Sequence, residues 1–179
     1  MKKNIGKNLA LYPTPLAVVG TMVKNKPNYA LVGHLGIIGH DRVMVSLADS
    51  HYTNQGIREN HSLTINLVDE KMLAKADYVG CVSGNTTDKS GVFDYDTAKM
   101  GAPIIKESPL VMECVVDDIY KTEGFESFIC KIATVYAEET ILDGKGKINY
   151  TDFRPVLFEM PTYKYLRTGD VIGDCMKIN

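Results

Sequence analysis

Apolar residues in this chain gather in short runs and alternations rather than in helical stripes. Leu16 to Val23, LAVVGTMV, is rich in β-branched residues, is entered through the rigid Tyr12-Pro13-Thr14-Pro15 segment and is closed by the turn-forming Lys24-Asn25-Lys26-Pro27. This predicts a strand, with a second over Asn28 to Leu35 completing a hairpin. Val43 to Ala48 is a third short apolar run, and Leu63, Ile65 and Leu67 alternate with Thr64 and Asn66 as a half-buried strand would. Two long β-rich stretches, Leu110 to Tyr120 and Phe128 to Ala137, flank Thr122-Glu123-Gly124 and are expected to pair antiparallel. A turn at Asp143-Gly144-Lys145-Gly146 then leads to short strands near Ile148, at Val156 to Phe158 and in the Thr162 to Leu166 stretch.

Helical signals are brief. Thr53 can cap a short helix through Glu59, and Asp69 a second, in which Met72, Leu73, Ala76 and Val79 recur at helical spacing before Gly80 weakens it. A parallel sheet needs crossover helices that these cannot supply. The pattern therefore predicts an all-β-rich fold, a closed or nearly closed antiparallel barrel with a few short α-helices. With 179 residues and neither repeats nor low-complexity linkers, one domain over 1–179 is expected.

Composition narrows the function classes. Hydrophobic content of 45% and charged content of 23% match ordinary globular usage and leave no room for long disordered regions. A net charge of −2 lacks the basic excess that draws proteins to nucleic acid or anionic membrane, so any anion site must be local. The start, MKKNIGKNLALYPTP, has no apolar stretch long enough for a secretory signal, no run reaches transmembrane length, and a cytoplasmic location is expected. In that setting the sequons at Asn60, Asn85 and Asn149 carry no weight. Cys81, Cys114, Cys130 and Cys175 are scattered without a C-x-x-C pair and read as free thiols. His34, His40, His51 and His61 are spaced too irregularly for a metal motif, and no G-x-S-x-G elbow occurs, so neither a metal nor hydrolase chemistry is expected.

The chemistry-bearing stretch is SGNTTDKSGVF, residues 83 to 93. Lys89 among Ser83, Gly84, Thr86, Thr87 and Ser90 offers one point charge, several hydroxyls and loosely constrained backbone, a combination suited to a phosphate dianion; a solvated surface loop with an incidental lysine is the plainer alternative. It is not a Walker A loop, because Ser83 and Asp88 stand where that motif needs glycine. Gly33, Gly36 and Gly39 have G-x-x-G-x-x-G spacing and no following amphipathic helix, so the dinucleotide fingerprint fails; they mark bends or a close approach to a ligand.

Taken in order, the fragments resemble the flavin reductase-like family, which includes flavoredoxins and shares an FMN-binding split β-barrel. They are Tyr12-Pro13-Thr14-Pro15; Asn28; Ser46 through His51-Tyr52-Thr53; Ile57-Arg58-Glu59-Asn60; Asn66-Leu67; Ser83-Gly84 with Asp88-Lys89; Met112-Glu113-Cys114; Arg154-Pro155; and Tyr163 to Leu166. The resemblance implies a homodimer binding FMN, with Asn28 opening the second strand of the site and Ala30, Leu31 and His34 beside the ring. Leu47, Ala48, His51 and Thr53 would serve the ribityl phosphate, with Ser83 and Lys89 completing the pocket. Reduction by NAD(P)H is implied as well.

Three departures stand out. His34 replaces a frequent tryptophan in a chain that has none, His51 replaces a frequent arginine, and a family G-D-H stretch reads Gly124-Phe125-Glu126. Imidazole is mostly neutral at pH 7 and lacks the guanidinium fork, which weakens the phosphate grip. The missing histidine motivates a flavoredoxin-type electron carrier reduced by a partner protein, and a barrel that has lost flavin is the third reading. Locally, His34 is open to a core role, Thr53 to a simple helix cap, and Tyr163 and Tyr165 to packing rather than flavin contact.

Overall fold

A computed structural model describes residues 1–178 of the chain. Its elements in order are β1 (Thr14–Pro15), β2 (Ala17–Val23), β3 (Lys26–Val32), β4 (Leu35–Ile37), β5 (Arg42–Ala48), α1 (Thr53–Asn60), β6 (Ser62–Leu67), α2 (Leu73–Cys81), β7 (Tyr95–Thr97), β8 (Pro103–Ile105), β9 (Leu110–Thr122), β10 (Phe125–Ala137), a 3-10 turn (Glu139–Ile141), β11 (Leu157–Glu159) and β12 (Lys164–Leu166). Seven strands form one antiparallel sheet in the order β3-β2-β6-β9-β10-β5-β4; β1, β11 and β12 make a small second sheet, and β7 pairs with β8.

The first hairpin turns tighter than the sequence pattern suggests. Lys24 and Asn25 both take left-handed backbone, φ 50° and 63°, as a two-residue turn requires, so Lys26 and Pro27 join β3. Pro27 is tolerated there because β3 is an edge strand.

The expected strand over Asn28 to Leu35 is in fact two. It breaks at Gly33-His34, where the chain leaves one edge of the seven-stranded sheet and enters the other edge, β4. Two residues span only about 7 Å. The sheet must therefore curl until its edges nearly meet, which gives a split barrel whose seam lies at Gly33 and His34. A Cβ at Gly33 would sit 2.6 Å from the Phe158 ring, so only glycine admits the small sheet this close.

Both faces of β2 are covered. Ala17 and Val19 point into the barrel core with Val45, Ile65, Cys114 and Phe128, while Leu16 and Val18 pack outward under α2 with Tyr29, Met72 and Val79. That is why LAVVGTMV is continuously apolar rather than alternating.

Several local expectations change. Thr53 is the first residue of α1 but makes no cap bond; its Oγ1 accepts a hydrogen bond from Asn28 Nδ2 at 2.8 Å. Asp69 accepts from the Lys71 and Met72 backbone amides, holding the turn ahead of α2. The helix continues through Gly80 to Cys81. Near Ile148 there is a single bridge to Leu142, not a strand. Among the described residues no helix is long and apolar enough to cross a membrane.

Candidate functional site

The barrel seam opens into a cleft of about 280 Å³. Leu31 at the end of β3 and His34 at the junction form one wall, Ser46, Leu47 and Ala48 of β5 the floor, and Phe125 at the start of β10 with Phe158 and Met160 the remaining sides, with His51 at the mouth. The wall is aromatic without tryptophan. The His34 ring lies 5.8 Å from Phe125 and 6.5 Å from Tyr12, and Tyr12 stands edge-on to Phe158 at 6.4 Å. His34 Nε2 and the Tyr12 hydroxyl are 2.9 Å apart, and the same hydroxyl lies 3.2 Å from Met160 Sδ. His34 is thus half-buried in the cleft wall rather than enclosed in the core.

A second, more polar cleft of about 390 Å³ lies between the β2–β3 turn and the 84–89 loop. Asn28, Tyr52, Gly84 and Lys89 line it. His51 and Tyr52, adjacent in the chain, face the two clefts from one loop. Gly84 is essential to this closeness, since a Cβ there would meet Asn28 Oδ1 at 2.7 Å and Tyr52 Cδ1 at 2.8 Å. An ion pair from Lys26 to Asp88, 2.7 Å, and a bond from Asn85 Nδ2 to the Ser50 carbonyl, 3.2 Å, tie the loop down.

Lys89 is not the incidental surface lysine. Its side chain is buried, and its ammonium donates to the carbonyls of Val79 at 3.1 Å and Val82 at 3.3 Å, groups that the end of α2 leaves unpaired. An ammonium has three donors, so one remains. Burial pulls its pKa down to about 8, which leaves it charged at neutral pH. His51 is exposed by area, yet the surrounding walls and then the Lys89 charge lower its pKa, so it stands neutral at pH 7.

The residues singled out from sequence divide accordingly. Leu31, His34, Leu47, Ala48 and His51 meet at the seam cleft, while Asn28 and Lys89 line the polar one. Thr53 is buried against Asn28 between them. Ala30 packs in the barrel core and does not line the cleft. Ser83 is exposed and lines neither cleft; its carbonyl accepts from the Thr86 and Thr87 amides and starts the loop's turn. Tyr165 packs beneath α2 and bonds Asp77, whereas Tyr163 is exposed, 6.4 Å from Phe158.

The sequence reading gives no site role to Tyr12, Phe125, Phe158 or Met160, which gather at the seam. The available signal was the family's G-D-H position and the Tyr12-Pro13 segment, but no local spacing joins residues so far apart. Glu126, at the place of the family histidine, is buried and turned away from the seam; it accepts from Asn54 Nδ2 at 2.9 Å and pairs with Arg58 and Lys121. Burial pushes its pKa up, but those partners outweigh it and hold the carboxyl below its ordinary value.

Comparison with known proteins decides the family. Residues 9–164 match the model of the flavin reductase like domain. The chain belongs to the flavin reductase-like family. Its structure superposes on flavoredoxin from Methanosarcina acetivorans with a TM-score of 0.93 at 34% identity, covering 99% of this chain and 96% of that one. Flavoredoxin of Desulfovibrio vulgaris (Miyazaki F) gives 0.91 at 28% identity, covering 99% and 98%. At the level of fold alone, an FMN-binding protein from Thermus thermophilus gives 0.81 at 19% identity, covering 97% and 100%. A curated uncharacterized protein of Aeropyrum pernix is 25% identical over 118 residues, 64% of this chain and 44% of its own length. The chain thus matches under half of that relative's length.

Proposed function

We propose that this member of the flavin reductase-like family is an FMN-binding oxidoreductase. The observation that carries the reading is Lys89, a buried ammonium with one donor uncommitted, beside an apolar, aromatic-walled seam. A flavin mononucleotide needs those two things together, a flat apolar wall for its ring and donors around a dianion. The fit is chemical. Lys89 and Asn28 with the Gly84 backbone would hold the phosphate end, with Thr53 fixing the Asn28 amide from behind, and Leu31, His34, Phe125 and Phe158 would hold the ring. When bound, FMN supplies reversible two-electron chemistry; the chain's part is to bind, orient and exclude water. A yellow protein, or a shift in the visible spectrum of free FMN on titration, is the expected result. A colourless protein that leaves that spectrum unchanged would sink the reading and favour a barrel that has lost flavin.

The electron donor in this reading is NAD(P)H, whose hydride would enter from the open side of the seam. A specific observation favours the second reading, a flavoredoxin-type carrier reduced by a partner protein: Phe125 stands in the cleft and Glu126 is locked behind the sheet, so no imidazole comes from β10. Anaerobic mixing with NADH and NADPH separates the two, since bleaching at a catalytic rate excludes the carrier and its absence excludes the reductase.

A second copy of the chain completes the site. At about 280 Å³ the seam cleft lies just under the roughly 300–1,000 Å³ usual for ligand pockets. Met44 and Ile129, cross-strand partners on the outer face beside it, are only half-buried. Sedimentation of the purified protein as a dimer is expected, and a monomer that binds FMN at full affinity would refute this.

A further inference from the structure

Among the described residues Tyr12 and His34 form the one hydrogen-bonded pair of titratable side chains at the seam, and the chemistry described so far does not use it. Its geometry has an unusual property. In neutral His34 with the proton on Nδ1, Nε2 accepts from the Tyr12 hydroxyl across 2.9 Å. In protonated His34, Nε2–H donates to the Tyr12 oxygen instead, and the phenolic hydrogen turns to Met160 Sδ, 3.2 Å away. Nε2 and the Tyr12 hydroxyl thus keep partners in both protonation states with no heavy atom moving. On the Nε2 side neither state leaves a donor without a partner, which removes part of the usual cost of charging such a group.

Tyr12 is held where this needs it. Thr14 Oγ1 donates to the Gly33 carbonyl at 2.7 Å, tying the Tyr12 segment to the residue before His34. Burial first, and then the neighbouring Tyr163, push the Tyr12 pKa up, so its proton stays on across neutral pH. The groups around His34 from each packed element are the Tyr12 hydroxyl, Phe125 of β10, Ser46 of β5, Phe158 and Met160 of the β11 segment, and His51 at the mouth. Among the described residues no carboxylate, lysine or arginine lines this cleft, so a new charge within it meets no fixed counter-charge in the lining.

We propose that His34 is a redox-linked proton acceptor, charged when negative charge forms in the seam cleft and discharged when it leaves, with Tyr12 as its two-way hydrogen-bond partner. The inference rests on the FMN reading. Two electrons and one proton delivered to the flavin, by a nicotinamide or a redox protein, leave one negative charge on the ring; His34 takes one further proton from water through the open cleft. Two electrons and two protons are thereby taken up, and reoxidation returns both protons to solvent. Tyr12 and Met160 are positioning residues, since they act through His34.

The test is the midpoint potential of the FMN-loaded protein, measured at an electrode from pH 5.5 to 8.5. Each proton taken up per two electrons contributes about 30 mV per pH unit to the slope. Over part of this range wild type should carry one proton more than His34→Gln and His34→Phe, a difference of about 30 mV per pH unit. Tyr12→Phe should keep the extra proton and move the pH at which it is taken up. Equal slopes in wild type and both His34 variants, with FMN bound in all, would overturn the inference alone. Loss of the extra proton in His51→Gln but not in His34→Gln would overturn it too. Failure of wild type to bind FMN would overturn the functional reading and this inference together. Should both His34 variants fail to fold, the wild-type slope against Tyr12→Phe still decides, because identical curves leave Tyr12 no part.

Discussion

The two ends of the site are built by opposite means. At the Lys89 end the fold uses one short stretch of sequence, residues 83 to 89, and secures it through backbone, with the lysine on the carbonyls that end α2 and Gly84 pressed on Asn28 and Tyr52. At the seam no stretch dominates, because Tyr12, His34, Phe125 and Phe158 come from four places and meet only when the sheet curls. The polar end is local and charged; the seam end is non-local and aromatic. A substitution should therefore act mainly on affinity at the first end and on affinity together with stability at the second.

The sharpest way to break this contrast is Lys89→Met, which keeps the apolar stem and removes the ammonium. A hydrogen bond to a charged group is worth about 1.5–3 kcal/mol, so FMN should bind roughly 10- to 150-fold more weakly by spectroscopic titration. Thermal stability at pH 7 should change little, since relief of the buried charge is offset by loss of the bonds to the Val79 and Val82 carbonyls. An unchanged Kd would show that the uncommitted donor serves no ligand. Gly33→Ala attacks the other end. Its Cβ would arrive 2.6 Å from Phe158, and overpacking of this kind costs about 1–3 kcal/mol. Unlike Lys89→Met, it should lower the melting temperature and FMN affinity together, and a loss of affinity alone would contradict the seam's role in closing the barrel.

The same contrast explains what could be read from the chain in advance. Strand runs such as Leu16 to Val23 declare themselves by β-branched composition and flanking turn residues, so the barrel and most of its strands were legible. The SG-x-x-x-DK stretch was legible because its residues are neighbours. What escaped was set by closure. The break at Gly33-His34 depends on the two sheet edges being joined, which no local pattern states. Phe158 is unremarkable within a three-residue strand until the small sheet brings it onto Gly33. Ala30 and Leu31, both taken from the family's second strand, point to opposite faces, Ala30 into the core and Leu31 to the cleft, and in a strand covered on both sides hydrophobicity does not tell inside from outside. Thr53 had the composition of a cap, yet the buried Asn28 amide claims its hydroxyl.

A pH titration sharpens the polar end further. Lys89 has a folded-state pKa of about 8, below its ordinary value, so between about pH 8 and its unfolded value the native chain binds fewer protons than the unfolded one. Its contribution to stability is therefore present in full above the unfolded pKa and is lost as pH falls through about 8. Ligand binding runs the other way. A phosphate dianion needs the ammonium, so FMN affinity should fall as pH rises past about 8, approaching tenfold per unit over the span that Lys89 controls. Lys89→Met should abolish both dependences. A wild-type Kd that stays flat between pH 7 and 9.5 would mean that the charge is not used for binding.

The smallest effect belongs to the floor of the seam. Ser46 of β5 and Ser127 of β10 face each other in register, their hydroxyls 3.0 Å apart, and Ser46 lines the cleft while Ser127 does not. Ser127→Ala removes one neutral hydrogen bond, worth roughly 0.5–1.5 kcal/mol, and should lower chemical-denaturation stability by about that much. Its effect on binding has a definite sign, because the freed Ser46 hydroxyl can turn into the cleft and gain a ligand as partner. FMN affinity should then stay level or improve slightly while the fold weakens. If affinity instead fell in step with stability, the serine pair would be positioning the floor for the ring, and the division between a binding end and a folding end would have to move inward from Phe158 to β5.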